Sequence, residues 1–170
     1  PPVGRGLSVR DTPVMPIFER SIEIDAPIQS VYAFHLDTRN AARIASEGQE
    51  FVSITGDFPL QLNGEVELKV KMKPLPGVQT WVVRVTELAE PILVVDEMLK
   101  GPFAKFRHEH RFAPTDAGGT LLTDHIEWVL PGGIAAKAIE PIAKSQLEKS
   151  FAERQAATKA ILEADARASG

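Results

Sequence analysis

The chain has 170 residues, 44% hydrophobic and 25% charged, enough for one domain with its own hydrophobic core. Its net charge of -4 argues against a protein held to nucleic acid by phosphate neutralisation. It has no cysteine, which excludes disulfides, thiolate metal sites and cysteine nucleophiles.

Residues 1–16 are rich in Pro, Gly and Arg and are expected to form a tail or linker remnant, with the folded domain over 17–168. No apolar run approaches the roughly 18 residues of a membrane span, and the first residues lack a signal-peptide core. The expectation is a cytoplasmic protein that does not insert into a membrane. The sequence leaves its oligomeric state open.

Residues 17–25 alternate, with Phe18, Arg20, Ile22 and Ile24 on one face, which predicts a half-buried strand. A helix should follow at once, with Asp25 as cap, Pro27 in the first turn, and Val31, Phe34 and His35 at helical spacing. Residues 38–46 predict a second short helix that ends at Gly48. Six consecutive strands are expected next, joined by short turns. The clearest is 65–72, with Val66, Leu68, Val70 and Met72 facing in and Glu65, Glu67, Lys69 and Lys71 facing out. Beyond "PGG" the period changes, and 134–168 reads as helix with a break or kink at Pro141. Its apolar face runs through Leu147, Phe151, Arg154, Thr158, Ile161 and Leu162. Strand, two short helices, six strands and a long helix predict an α+β fold: a seven-stranded antiparallel sheet that buries one face of the terminal helix.

Several phrases in this order resemble the START-like, or SRPBCC, helix-grip superfamily. They are "SIEIDAPIQSVYAFHLD", "GEVELKV", "DEMLKGPFAKFRHEHRF", "TLLTDHIEWVLPGG" and "FAERQAATKAIL". Within it the chain most resembles the uncharacterised cyclase/dehydrase-like ligand-binding branch, whose members share a GPF turn and an H-x-H strand. The resemblance implies a curved sheet gripping the C-terminal helix around an internal cavity. Because the superfamily includes carriers, receptors and enzymes, it does not choose among those functions.

The segment "KFRHEHRF" holds two of the four histidines. Side chains alternate along a strand, so Phe106, His108, His110 and Phe112 share the inner face and Lys105, Arg107, Glu109 and Arg111 the outer one. On the next strand Leu122, Asp124, Ile126 and Trp128 face in, and His125 faces out. If residues 101–103 form the preceding loop, Asp96 falls opposite His108; if residues 115–119 form the following one, Asp124 falls opposite His110. A one-residue slip would bury Lys and Arg, which opposes any other facing. Four inward polar residues, Asp96, His108, His110 and Asp124, are therefore expected on three adjacent strands.

Three roles fit this patch. The four residues can satisfy one another as two Asp–His pairs. They can hold the polar end of a mostly apolar ligand. They can also form an acid/base pair for a cofactor-independent cyclase or dehydratase, with His108 or His110 oriented by Asp96 or Asp124. A metal is not expected: no glutamate follows His110 at the cupin spacing, and no third histidine faces in. No cofactor is expected either. There is no phosphate loop and no G-x-S-x-G elbow.

Arg154, within the apolar face of the terminal helix, reads either as a packed stem reaching a rim or carboxylate, or as an anchor for a ligand anion or carbonyl. Trp81, Met98, Phe106, Phe112, Trp128 and Phe151 are expected to enclose the ligand's apolar part, and His35 to favour the dipole at the end of its helix. The expected partner is a small hydrophobic or amphipathic molecule of lipid, polyketide or isoprenoid type. The alternatives are the cyclase or dehydratase and a non-catalytic accessory or interaction module.

Overall fold

The computed structural model describes residues 15–169. The expected tail therefore lies, apart from residues 15 and 16, outside the described residues. The strands are β1 (Ile17–Ile24), β2 (Gln49–Thr55), β3 (Glu65–Met72), β4 (Gln79–Ala89), β5 (Leu93–Lys100), β6 (Lys105–Pro114) and β7 (Thr120–Val129). Two α-helices, α1 (Ile28–Leu36) and α2 (Glu140–Ser169), are each accompanied by a 3-10 turn, at Thr38–Ala42 and Gly133–Ala138.

All pairings are antiparallel, and the sheet order is β1-β7-β6-β5-β4-β3-β2. This is the seven-stranded curved sheet around a long C-terminal helix that the sequence predicts. The chain order explains it: each of β2 to β7 pairs with its sequence neighbour, and β1 returns to close against β7. The second short helix is a single 3-10 turn, and the last helix starts at Glu140, with Pro141 in its first turn, where a missing N–H costs nothing. Asp25 does not cap α1. Its backbone N–H instead donates to Glu163 Oε1 on α2, at 2.9 Å.

Alternation is clean where it matters. Val66, Leu68 and Val70 on β3 are buried, as are Thr120, Leu122, Asp124, Ile126 and Trp128 on β7. The outer face of β6 carries charge instead: Arg107 pairs with Glu87, Glu97 and Glu109, and Arg111 with Glu19 and Glu109. Burying that face would strand all of these charges, which is why the register holds.

Three hydrogen bonds clip α2 to β1 and the turn after it. Gln155 Nε2 donates to Arg20 O at 3.0 Å, Lys159 Nζ to Glu23 O at 2.7 Å, and the Asp25 N–H bond above completes the set. They occupy polar groups along the edge strand, where unpaired backbone invites pairing with other chains. At the start of β7, Thr120 Oγ1 donates to Ala26 O at 2.8 Å. Gly119 makes this approach possible, because a Cβ there would sit 2.6 Å from Ile24 O.

Candidate functional site

Between the sheet and α2 lies a cavity of about 590 Å³, within the usual range for small-molecule pockets. Its wall is mostly apolar. Trp81 of β4, Met98 of β5, Phe106 of β6 and Phe151 of α2 belong to it. Leu75 and Ile142 line the same space yet are 47% and 65% exposed, so they mark its opening. Asp96, His108, His110 and Arg154 are part of its polar lining, with His35 beside His110.

The predicted registers hold. Asp96 pairs with His108 across β5 and β6, and His110 with Asp124 across β6 and β7. The contacts differ from two separate Asp–His pairs. Asp124 serves both histidines: His108 Nε2 lies 2.9 Å from Asp124 Oδ1, and His110 Nδ1 lies 2.8 Å from the same oxygen, off the line of an ideal hydrogen bond. Asp96 Oδ2 stands 3.9 Å from His108 Nδ1 and 3.8 Å from His110 Nε2, too far for a hydrogen bond to either. The two imidazole centroids are 3.9 Å apart, and Phe151 meets the His108 ring edge-on at 5.2 Å.

Gln155 is the residue that sequence reasoning missed. Its Nε2 donates to Asp124 Oδ2 at 2.7 Å, so Asp124 has partners at both oxygens. The signal was present: Phe151, Gln155, Thr158 and Leu162 recur at helical spacing, and all four are buried. A glutamine on that stripe reads as polar and is easily assigned to the wet face.

His35 is a second correction. It is not a charged group favouring a helix dipole. Its Nδ1 donates to Val31 O at 2.7 Å, and its ring lies 4.7 Å from that of His110. Burial, reinforced by the neighbouring His110, lowers its pKa to about 3, so the ring is neutral at ordinary pH.

Three expected ligand contacts stand behind the wall. Trp128 is fully buried, in a cluster with Phe18, Ile126 and Phe151. Phe112 packs edge-on against Tyr32, at 5.6 Å. Asp124 is covered by the histidines and Gln155. Each was expected at the cavity because it shares the inner face, but facing does not separate the wall from the layer behind it. Trp81, Met98, Phe106, Phe151, Arg154, Asp96, His108 and His110 do lie on the wall.

The electrostatics divide the two carboxyls. Burial pushes Asp124 up, but the bonds from His108 and His110 outweigh it and hold the group well below the ordinary carboxylate range. Asp96 lacks such bonds. Burial raises its pKa to about 6 against the opposing pull of His110 and Arg154, and its remaining exposed surface opens into the cavity it lines. Burial and the His108 neighbour lower His110 despite both carboxylates. Arg154 is lowered by burial against the pull of Asp124 and Asp96. Its guanidinium lies 5.3 Å over the Phe151 ring, and no carboxylate among the described residues comes within 4.0 Å of it.

Residues 15–163 match the family described as polyketide cyclase / dehydrase and lipid transport. The chain belongs to that family. Solved structures share the fold of this family member. A protein from Thermus thermophilus, 13% identical, aligns with a TM-score of 0.71 over 88% of this chain and 99% of its own. The di-domain ARO/CYC from the steffimycin biosynthetic pathway, 13% identical, aligns at 0.66 over 88% of this chain and 51% of its own. A norcoclaurine synthase point mutant from Thalictrum, 11% identical and bound to a transition-state analogue, aligns at 0.64 over 88% and 94%. At these identities the likeness establishes the fold alone. Among curated proteins, none matches the chain. No helix among the described residues is long and apolar enough to cross a membrane.

Proposed function

We propose that the protein binds an amphipathic small molecule of lipid, polyketide or isoprenoid type inside the cavity. The polar end would rest against Asp96, His108, His110 and Arg154, and the apolar part against Trp81, Met98, Phe106 and Phe151. One observation carries this reading: an apolar cavity of about 590 Å³ converges on a small polar cluster that includes a guanidinium without an ion-pair partner among the described residues. A half-buried charge left without an ion-pair partner carries a desolvation cost. A ligand carbonyl or anion beside Arg154 would offset that cost. The family's description, which couples cyclase and dehydrase chemistry with lipid transport, supports a ligand of this class.

Native mass spectrometry of protein purified without delipidation tests the proposal. A co-purifying apolar compound, lost on filling the cavity with Met98→Trp, is the expected result. Empty protein that also fails to take up the anionic probe 1-anilinonaphthalene-8-sulfonate would refute it.

A second reading rests on Asp96. A carboxyl raised to about 6, between two imidazoles and open to the cavity, is suited to exchanging a proton near neutral pH. A cyclase or dehydratase acting on a poly-carbonyl compound would use it in that way. In that case Asp96→Asn abolishes product formation while the ligand still binds. If the protein is only a carrier, no product forms with either sequence.

A further inference from the structure

The histidine pair has a property that ligand binding alone does not use. A carboxylate only accepts hydrogen bonds, so an imidazole nitrogen facing one carries the hydrogen, and in the neutral ring the other nitrogen is left with a lone pair. Asp124 Oδ1 faces His108 Nε2 at 2.9 Å and His110 Nδ1 at 2.8 Å. The lone pairs therefore belong to His108 Nδ1 and His110 Nε2. Both stand beside one oxygen, Asp96 Oδ2, at 3.9 Å and 3.8 Å. Asp96, His108 and His110, all on the cavity wall, each offer a ligand atom within 4.8 Å of the others. Three electron-rich atoms converge on one point with no donor among them.

We propose that Asp96 Oδ2, His108 Nδ1 and His110 Nε2 form a three-ligand site for a zinc-type divalent transition metal, with Asp124 as the outer carboxylate that orients both imidazoles.

The donor set selects the ion class. Two imidazole nitrogens and one carboxylate suit zinc, cobalt or nickel, whereas calcium and magnesium take oxygen shells. Tetrahedral zinc holds nitrogen and oxygen ligands at about 2.0–2.2 Å, which spaces two ligand atoms about 3.3–3.6 Å apart. Both Asp96 distances, 3.9 Å and 3.8 Å, exceed that spacing by only a few tenths of an ångström. The group's ligand atoms lie within 4.8 Å of one another, so the widest separation closes by up to about 1.5 Å, through side-chain torsions, when an ion binds. Asp124 supplies the carboxylate–imidazole contact that fixes the tautomer and orientation of metal-binding histidines. Gln155 in turn fixes Asp124, at 2.7 Å.

Asp96 and Asp124 bring two negative charges and Arg154 one positive charge, so the cluster is net negative and attracts a cation. Arg154 stays beyond ion-pair reach of both carboxyls, so Asp96 Oδ2 is not already engaged. The fourth coordination position would open into the cavity, as in zinc sites that accept water or a ligand oxygen. From the sequence a metal is not expected, because no cupin glutamate follows His110 and no later motif supplies a third inward histidine, although H-x-H beside carboxylates is a fair ligand set. The third ligand is Asp96, brought in by the neighbouring strand.

This inference does not depend on the organic ligand, because the two are measured separately. Chelator-treated protein is titrated with Zn2+ alone by calorimetry, and with Co2+ alone by visible absorption. The expected result is one equivalent of either ion, with cobalt bands of low-coordinate nitrogen–oxygen ligation. Asp96→Asn and His110→Gln should each weaken Zn2+ by at least ~100-fold, and Asp124→Asn by about 10–100-fold. His125→Gln, an outward histidine beside Glu19, should bind as the parent does. Should a variant fail to fold by circular dichroism, the parent alone decides: Zn2+ must shift the ring resonances of His108 and His110 and leave those of His125 in place. No stoichiometric ion on the parent overturns the proposal. So does binding that survives Asp96→Asn, or that disappears with His125→Gln.

Discussion

His108 hydrogen-bonds Asp124, its diagonal neighbour on β7, and not Asp96, which lies directly opposite on β5. Asp124 thereby accepts from His108 and, through its other oxygen, from Gln155, with His110 Nδ1 in contact at 2.8 Å. Removing the carboxylate leaves several buried donors unsatisfied at once, and each such group costs about 1–3 kcal/mol. Asp124→Ala should therefore destabilise the protein by about 3–5 kcal/mol, in the range for breaking a buried charged contact. Urea unfolding monitored by tryptophan fluorescence measures it. A loss under about 1 kcal/mol would mean that the cluster is not held through Asp124.

Gln155 joins the cluster to the backbone of β1 through Arg20 O. Gln155→Leu keeps the volume but deletes a charge-assisted bond and a helix-to-strand bond. A loss of about 1–3 kcal/mol is expected. Amide exchange should rise at Arg20 and its neighbours on β1 before it rises elsewhere, which separates a local clip from a general packing defect.

Arg154 should behave differently, because its guanidinium has no carboxylate within ion-pair distance among the described residues. Replacing a half-buried charge that lacks an ion-pair partner with an apolar side chain of similar length removes a desolvation cost. Arg154→Met should leave the unfolding free energy unchanged or raise it, while weakening 1-anilinonaphthalene-8-sulfonate by about 10-fold, or roughly 1.4 kcal/mol. Fluorescence titration of both proteins checks it. Equal affinities would remove Arg154 from the ligand site.

The clip at the end of α2 predicts a pH effect. The Lys159 hydrogen bond, and then the Asp25 N–H, hold Glu163 below its ordinary pKa of 4.5. Its folded value is depressed, so its contribution to stability is present above the ordinary value and is lost as pH falls through the folded one. The stability difference between the parent and Glu163→Gln should be constant near neutrality and shrink below about pH 4.5. A difference that grows on acidification would reverse the assigned sign.

Much of this was legible in the sequence, for physical reasons. Period-two alternation set the facing of β6 and β7, because a slip would have buried Arg107 and Arg111. Loop lengths then set the registers that bring Asp96 to His108 and Asp124 to His110. Depth was not legible. Trp128 and Phe112 share the inner face with Phe106, yet only Phe106 reaches the cavity, because sheet curvature and the path of α2 decide which inward side chains are covered. Diagonal contacts were hidden as well, since register names the opposite residue and not the rotamer. His35 was misread because its burial comes from β6, far away in the chain.

In the proposed function the cavity holds an amphipathic molecule with its polar end on the Asp96–His108–His110–Arg154 cluster. A crystal structure of the protein with bound 1-anilinonaphthalene-8-sulfonate tests it most directly. Density is expected for the rings between Trp81, Met98 and Phe151, with the sulfonate within hydrogen-bond distance of Arg154. Probe density confined to the outer surface, with the cavity closed by its own side chains, would contradict it.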